Sequence, residues 1–486
     1  MRTQLVLSFL FLFCLVDAKA PPSKTVLRNK IDGVVAYSCR AFLTKLTWEY
    51  SGKGKTSNPT CSYEPALQSW LYCIYQTLTE RGYSNSTFEK SFETIKSGCE
   101  YYTTELQNMT NSEFYDTLNN GTKYIQQYAA SDSNLTFPIQ VAAQTRSNYF
   151  RAYHGFYANL DIGNIYGAII AAYFVGVLLI VGLSNLTKYT PFKTAILKQR
   201  LVRYVRGLVT LPTILGKHAS DFSNFKVVTG YLPTRFEGII VLGYLVLHTI
   251  FMAYKYEYDP NNILFKSHRA QVARYVADRS GVIAFAHFPL IVLFAGRNNF
   301  LEYISGLKYT SFIVFHKWLG RIMFLDVVIH SAAYTNYALY NKTWERSKAQ
   351  TYWQFGVAAT CLASMMVCFS FAAFRKYCYE SFLFLHIILG ALFFYACWEH
   401  VTSLSGIEWL YAAIALWIFD RLTRLIRMSF FGFPLATLEL IGEDLIRITV
   451  PKPKNFWRAK PGQYVFVSFL HPFYFWQSHP FTVLDS

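Results

Sequence analysis

The sequence predicts an α-helical membrane protein: a polytopic helix bundle with an N-terminal disulfide-containing ectodomain and the start of a cytosolic β-barrel domain. Composition is the first reason, because only 15% of the 486 residues are charged and 53% are hydrophobic, whereas soluble domains have about 25% charged residues. The second reason is that the apolar residues form runs of near-bilayer length. The third is a polar N-terminal region that contains cysteines and glycosylation sequons.

Residues 1–18 have the features of a secretory signal peptide. Arg2 precedes the apolar run Leu5–Val16, and residues 16–18 provide a small-residue cleavage site. The run is too short to cross a bilayer comfortably. The alternative is an uncleaved membrane anchor.

Residues 19–164 are predicted to form a glycosylated extracellular domain. Four cysteines indicate two disulfides in an oxidising compartment, and three pairings are open: Cys39, Cys61, Cys73 and Cys99. Sequons suited to N-glycosylation begin at four asparagines of this domain and at one in a later, outward-facing loop: Asn85, Asn108, Asn120, Asn134 and Asn341. Segments 66–78 and 88–99 are typical of helices.

Seven apolar segments follow, each close to the length needed to cross about 30 Å of hydrocarbon: about 165–186, 236–254, 281–296, 312–337, 353–374, 381–399 and 407–423. They divide into a first transmembrane helix, 165–186, and a six-helix domain, 236–424. The intervening loop, 187–235, carries nine Lys or Arg residues and one Asp, a net charge of +8. The positive-inside rule places this loop in the cytosol and the N-terminus outside. The sequon at Asn185 then lies inside and stays unmodified.

The net charge of +17 follows mostly from this topology and does not indicate a nucleic-acid partner. Residues 187–235 contribute +8, and residues 421–486, with eight basic and four acidic residues, contribute +4. Both stretches lie on the predicted cytosolic side, where basic residues orient membrane proteins. We therefore expect contact with membrane lipid and no binding of nucleic acid.

Two pairs of histidines, His316/His330 and His386/His400, share a separation of fourteen residues within predicted spans. Fourteen residues make nearly four helical turns, so both histidines of a pair face the same way, about 21 Å apart along the axis. One span, 353–374, separates the two helices, which are therefore parallel. His316 then lies level with His386 near the cytosol, and His330 lies level with His400 near the outside.

Two facing imidazoles at each of two depths suit haem iron, because zinc prefers four N, S or O ligands. We predict that His316 and His386 bind an inner haem iron and that His330 and His400 bind an outer one. Such a pair of haems would serve electron transfer. The alternative is that these histidines are buried and bonded to neighbouring helices, since ionisable groups within spans are costly.

Several other glycines, histidines and arginines in or near the spans are also candidates for a role. Gly320 and Gly390 each lie four residues after a predicted ligand, where glycine would let a flat macrocycle approach the backbone. His248 and His287 have no partner at matching spacing and are interpreted as packing or hydrogen-bonding residues. Three arginines could either pair with a haem propionate or contribute only to the positive charge of the cytosolic side: Arg279, Arg297 and Arg321.

After Arg427 the segments 438–450 and 463–470 alternate like half-buried strands, separated by prolines. With the paired histidines and the segments Asp278–Ala284, Phe294–Asn299 and His479–Thr482, this pattern resembles the fungal ferric/cupric-chelate reductases. These belong to the ferric reductase transmembrane superfamily, which also contains the NADPH oxidases. The resemblance covers the chain from about residue 236 to its end.

The resemblance implies the cofactors and the reaction. The four histidines would ligate two b haems, and residues 430–486 would be part of an FAD-binding domain. Hydride from NADPH would reduce FAD, and single electrons would pass through the haems to extracellular ferric or cupric chelates, with separate transporters taking up the ion. A plasma-membrane location follows. The predicted FAD contacts are seven residues: His479, Pro480, Phe481, Thr482, Val483, Leu484 and Asp485.

One departure concerns the NADPH-binding region of this family, which should follow residue 486. We expect that the sequence is truncated, the alternative being a chain that cannot take electrons from NADPH unaided. Two other functions compete with metalloreduction. One is a superoxide-generating NADPH oxidase with the same electron path, and the other is a non-enzymatic haem membrane protein built on a degenerate reductase core.

Overall fold

A computed structural model describes most of the chain: residues 29–50, 58–129, 134–187, 190–191, 195, 198–214, 221–225, 228–297, 299–402, 404, 406–443, 445–451, 463–468 and 478–482. The predicted signal peptide, 1–18, lies outside the described residues, as does part of the basic loop, 187–235. Three predicted FAD contacts lie outside them as well: Val483, Leu484 and Asp485.

The N-terminal domain is helical and encloses its own apolar core. Its elements are α1 Ile31–Leu43, α2 Pro59–Ser62, α3 Glu64–Glu80, α4 Asn85–Cys99, α5 Glu105–Asn108, α6 Asn111–Thr122 and the parallel strands β1 Gln126–Gln127 and β2 Ile139–Gln140. Trp70 is fully buried at the centre, and its indole N–H donates to the carbonyl of Ala36 at 2.8 Å. The two helices expected from the sequence are confirmed as α3 and α4.

The disulfides resolve the three pairings that the sequence leaves open. Cys39 bonds to Cys73, which joins α1 to α3, and Cys61 bonds to Cys99, which joins α2 to α4. All four half-cystines are buried. Two bridges between four helices restrict the unfolded chain and so stabilise the domain.

One helix, α7, runs without a break from Ala143 to Leu186. Its 44 residues extend about 66 Å at 1.5 Å per residue, twice the thickness of the hydrocarbon core. The N-terminal part packs against α1 and the C-terminal part against the membrane helices. The predicted boundary between ectodomain and first span, at 164/165, therefore lies inside a continuous helix.

The remaining elements build the membrane bundle and its connections: α8 Arg200–Val205 with a π-helical turn Arg206–Thr210, an antiparallel pair β3 Asp221–Phe225 and β4 Val228–Tyr231, then α9 Arg235–Ala253, α10 His268–Ala286, α11 Phe288–Ala295, α12 Phe300–Ser305, α13 Tyr309–Tyr340, α14 Trp344–Lys348, α15 Thr351–Phe369, α16 Ala372–Tyr377, α17 Tyr379–Val401 and α18 Ile407–Phe431.

Five segments of the described chain are long and apolar enough to cross a membrane: α7, α9, α10 with α11, α15 and α17. The protein is therefore a multi-pass membrane protein. Helices α13 and α18 occupy the two other predicted spans but carry more charged side chains, including Asp326 and Asp420. Their crossing of the membrane remains a prediction.

The third predicted span, 281–296, begins too late. Ser267 caps the N-terminus of α10 by accepting from the backbone N–H of Ala270, so this helix begins at His268. The side chains of its first turns are polar, so the apolar pattern does not reveal where this helix begins. Arg274 donates from Nε to both oxygens of Asp278 at 3.1 and 2.9 Å, so these two charges are paired on one helix face.

Two strand pairs follow the last helix of the bundle. β5 Thr437–Leu440 pairs antiparallel with β6 Ile446–Thr449, and β7 Tyr464–Val467 pairs antiparallel with β8 His479–Thr482. The β-structure predicted after Arg427 is confirmed in these four strands, but every residue of β5 and β6 is exposed rather than alternately buried. The described residues do not show a closed barrel.

The disulfide pairing makes a direct prediction for single cysteine variants. In Cys39→Ser, Cys73 loses its partner and should react with an alkylating reagent under non-reducing denaturing conditions. Cys61 and Cys99 should stay protected, because their bridge joins other helices. Peptide mass mapping measures the alkylation of each cysteine, and the reciprocal variant Cys61→Ser is the control, with Cys99 labelled instead. Labelling of Cys61 or Cys99 in Cys39→Ser would contradict the pairing.

Candidate functional site: two pairs of intramembrane histidines

The structure brings the four histidines together in two pairs. The ring centroids of His316 and His386 are 6.3 Å apart, and those of His330 and His400 are 6.0 Å apart. Helix α13 supplies one member of each pair and α17 the other. These are the two pairs that the fourteen-residue spacing predicts. The role of the four histidines as metal ligands remains a prediction.

Backbone carbonyls orient three of the four rings. Nδ1 of His316 bonds to the carbonyl of Ile291 at 3.0 Å, Nδ1 of His330 to that of Ala277 at 2.8 Å, and Nδ1 of His400 to that of Tyr352 at 2.7 Å. A carbonyl oxygen only accepts, so Nδ1 carries the proton and Nε2 keeps its lone pair. This arrangement is usual for histidines that bind a metal through Nε2.

The fourth ring, His386, differs from the others. Its Nδ1 is buried and has no hydrogen-bond partner in the described part of the chain. The ring of Phe382, one helical turn earlier, lies 5.4 Å away. His386 is therefore held by packing and by its pairing with His316.

The spacing within each pair fits one metal ion between two imidazoles. Two metal–nitrogen bonds of about 2 Å, plus about 1.1 Å from each ligating nitrogen to its ring centre, sum to about 6 Å. Neither pair has a third His, Cys, Asp or Glu ligand within reach among the described residues, where the only cluster of three such groups lies elsewhere. Two axial nitrogens without further ligands suit haem iron and do not suit zinc.

Glycines shape the two pairs in different ways. A Cβ atom on Gly320 would meet nothing within 4 Å, and one on Gly390 would meet only the Met366 methyl at 3.8 Å. Both glycines lie one turn after His316 and His386, so open space adjoins the inner pair, as a bound macrocycle requires. These residues therefore fit a haem.

Two other glycines, which the sequence analysis missed, contact the outer pair. A Cβ on Gly281 would lie 2.5 Å from Nδ1 of His330, and one on Gly356 would lie 2.8 Å from Nδ1 of His400. Each glycine thus allows a neighbouring helix to approach an imidazole ring. Each glycine lies far along the sequence from the histidine that it contacts, so no local sequence pattern could have identified it.

The two pairs lie toward opposite ends of the bundle. At the His316–His386 end, the guanidinium of Arg297 lies 5.0 Å from the ring centre of Phe466 in β7. At the His330–His400 end, Arg279 joins the bundle to α7 through Asn159 at 3.3 Å. The β-strands therefore adjoin one pair and the disulfide-linked domain adjoins the other.

Arg279 has a structural role that the sequence left open. Its guanidinium is buried and donates to the carbonyls of Phe251, Tyr254 and Lys255 at 2.9–3.0 Å. These bonds hold the connection between α9 and α10 and engage both terminal nitrogens of the guanidinium. Arg321 is exposed and stacks on Trp318 at 5.0 Å.

Four of the predicted FAD contacts, His479 to Thr482, form strand β8, which pairs with Tyr464–Val467 of β7. Close to β7 lies Glu302 of α12, whose Oε1 atom is buried without a hydrogen-bond partner. Burial raises the pKa of the Glu302 carboxyl to about 7, although the Arg427 guanidinium opposes this shift. Burial raises the pKa of the Tyr464 hydroxyl, and the nearby Glu302 carboxylate raises it further.

The predicted glycosylation sites are placed consistently with access to solvent. Asn85, Asn108, Asn120 and Asn134 are exposed on the N-terminal domain, and Asn341 is half-buried in the turn after α13. Asn185, by contrast, is buried, and its amide donates to the carbonyls of Tyr303 and Ile304. Glycan attachment itself remains a prediction.

Together these features define a class: a multi-pass membrane protein whose paired intramembrane imidazoles suit haem iron. A model for the ferric reductase like transmembrane component matches residues 280–397, and a model for an FAD-binding domain matches residues 430–486. The first match contains His316, His330 and His386 and ends three residues before His400, and the second contains β5 to β8. The chain belongs to the ferric reductase transmembrane component family.

Relatives support this membership over almost the whole chain. The chain is 69% identical over 481 residues to ferric/cupric reductase transmembrane component 2 of Saccharomyces cerevisiae, which covers 99% of this chain and 68% of that protein. It is 65% identical over 477 residues to ferric reductase transmembrane component 3 of the same yeast, covering 98% and 67%. Ferric/cupric reductase transmembrane component 1 of Candida albicans is 28% identical over 553 residues, covering 99% and 70%. The chain thus spans about two thirds of the length of these relatives.

The close contact of Gly281 predicts a selective loss of haem. In Gly281→Ala the new methyl group would lie 2.5 Å from Nδ1 of His330, so the ring must rotate away from the Ala277 carbonyl. We expect the purified variant to keep the haem of the His316–His386 pair and to lose most of the other, as measured by the reduced haem absorbance per chain. The control is Gly176→Ala, where a Cβ meets nothing within 4 Å. Equal haem content in both variants would contradict this role of Gly281.

The raised pKa of Glu302 predicts a pH-dependent gain from Glu302→Gln. The unfolded carboxyl loses its proton near its ordinary pKa of 4.5 and the folded one near 7, so folding loses stability as the pH rises through this window. Glutamine, which stays uncharged, should raise the apparent melting temperature by about 2–4 °C at pH 8 and much less at pH 5. Thermal unfolding at both pH values measures this. The exposed Glu345→Gln serves as control, and an equal shift at both pH values would refute the burial effect.

Proposed function

We propose that this protein carries electrons from cytosolic NADPH, through FAD and two b haems, to extracellular ferric and cupric chelates. The observation that carries the proposal is that the four histidines form two pairs. Because fourteen residues separate the two histidines of each helix, the pairs lie about 21 Å apart along α13 and α17. The names of the relatives, ferric/cupric reductase and ferric reductase components, support metal ions as acceptors.

Haem held by these imidazoles would supply one-electron transfer, and FAD would supply the conversion of a hydride into single electrons. The residues of this chain hold and orient these groups. His316 and His386 would bind the inner iron, and His330 and His400 the outer iron, each through Nε2. The carbonyls of Ile291, Ala277 and Tyr352 fix the tautomer in three of the four rings.

The cytosolic side is supplied by residues 430–486. We assign FAD contacts to His479–Asp485, of which His479–Thr482 form β8. The contact of Arg297 with Phe466 holds β7 at the inner end of the bundle. Residues 19–164, with the sequons, face the outside, and the basic loop 187–235 faces the cytosol. This orientation supports a plasma-membrane reductase that supplies iron or copper to separate uptake transporters.

The test is reduction of an impermeant ferric chelate by intact cells that express the complete coding sequence. We expect NADPH-dependent reduction of the external chelate that disappears when the gene is disrupted. Cells that contain the protein with normal haem absorbance but show no chelate reduction would overturn the proposal. Superoxide output that persists without added metal would favour the oxidase instead.

The inner ligand pair gives a mutational prediction. His316→Ala or His386→Ala should remove the inner haem and abolish chelate reduction, because electrons would have no path from the cytosolic side. Glycosylation at Asn341 should persist, since the topology is unchanged. The spectrum of the reduced haems and the electrophoretic shift after deglycosylation measure the two outcomes. A variant that keeps both haems would show that the ligand assignment is wrong.

A further inference from the structure

A second cluster of metal-ligating side chains lies inside the bundle, apart from the paired histidines. Three helices contribute to it: α9 supplies His248, the end of α10 supplies His287, and α13 supplies Asp326. One ligand atom from each of these residues lies within 4.8 Å of the other two. All three side chains are buried, and Asp326 is fully inaccessible to solvent.

The hydrogen bonds of this cluster identify the atoms that a metal ion would take over. Nδ1 of His287 bonds to the carbonyl of Ile283 at 2.7 Å, so it carries the proton and Nε2 keeps the lone pair. That lone pair accepts from the hydroxyl of Tyr244 at 2.7 Å. His287 is thus oriented by a carbonyl in the same way as three of the predicted haem ligands.

Asp326 supplies the observation that points to a missing partner. Its Oδ2 atom pairs with Nε2 of His248 at 2.9 Å, but its Oδ1 atom is buried and has no hydrogen-bond partner among the described residues. An unsatisfied carboxylate oxygen inside a membrane bundle is costly. Buried polar atoms of this kind require an explanation, such as a bound ion or water.

We propose that His248, His287 and Asp326 form a third metal site, which binds a divalent first-row transition-metal ion. Two imidazoles and one carboxylate are a common ligand set for Zn²⁺ and related ions. When the ion takes the Nε2 lone pair of His287, it releases the Tyr244 hydroxyl from its hydrogen bond to this nitrogen, and the hydroxyl can supply a fourth oxygen. Ligand atoms on one tetrahedral ion are about 3–3.5 Å apart, so the cluster needs only a small contraction to close around it.

This site differs in chemistry from the two histidine pairs. It has an anionic oxygen ligand and more than two donors, so it suits a non-haem ion and leaves no space for a macrocycle between fully buried side chains. Asp326 precedes His330 by four residues on α13, about 6 Å along the helix. The ion would tie α9, α10 and α13 together beside the outer pair. The proposal does not depend on the direction or acceptor of electron transfer.

The experiment uses the haem-containing protein expressed from the complete coding sequence. The protein is purified in detergent, equilibrated with Zn²⁺, freed of loosely bound metal on a chelating resin, and analysed for zinc and haem. We expect one tightly held zinc ion per chain. Asp326→Asn and His287→Gln should bind zinc at least about tenfold more weakly, with haem content showing that each variant has folded. Asp420→Asn, a buried aspartate of α18 outside the cluster, should bind zinc as the unmodified protein does.

A measurement without variants keeps the proposal testable if the substitutions impair folding. Cu²⁺ loaded in place of Zn²⁺ should give an electron paramagnetic resonance spectrum with coupling to two imidazole nitrogens. Zinc binding also favours the folded state by mass action, so the melting temperature should rise with zinc concentration. No zinc retained by the unmodified protein, equal retention in all variants, or a copper signal without nitrogen coupling would overturn the proposal.

Discussion

Hydrogen bonds from buried imidazoles to backbone carbonyls outside their own helices govern how this bundle packs. In an apolar interior an unpaired polar atom is costly, and three of the four paired histidines tie their helix to a neighbour in this way. His330 on α13 bonds to the backbone of α10, and His400 on α17 bonds to that of α15. His316 on α13 bonds likewise to Ile291 of α11. These bonds fix the orientation of three of the four paired rings and keep the lone pair of each of these rings on Nε2.

The same constraint is met differently at the two depths. At the outer pair, Gly281 and Gly356 let neighbouring helices press against both rings, so that the imidazoles have little freedom. At the inner pair, Nδ1 of His386 lacks a partner and the space beside Gly320 is open. The protein itself therefore holds both rings of the His330–His400 pair, whereas fewer contacts fix the His316–His386 pair.

Much of the membrane architecture could be predicted, because the number of residues between two positions of a helix gives their distance along the helix axis. A separation of fourteen residues on two parallel helices suffices to bring His316 to His386 and His330 to His400. Lateral packing leaves no such trace in the sequence: Gly281 and Gly356 act on rings supplied by other helices. The early start of α10 was missed because Arg274 and Asp278, which appear costly as single residues, neutralise each other on one helix face.

The cluster of His248, His287 and Asp326 likewise depends on contacts between different helices, which the sequence does not reveal. No repeated spacing links His248 and His287 to each other or to the paired histidines, and they were interpreted as packing or hydrogen-bonding residues. That interpretation is confirmed by the bonds to Asp326 and Tyr244, but it omits the carboxylate that makes the cluster chemically distinct. Because Asp326 lies on the helix that carries His316 and His330, α13 contributes one member to each histidine pair and one to this cluster. A rotation of α13 would therefore disturb both histidine pairs and this cluster together.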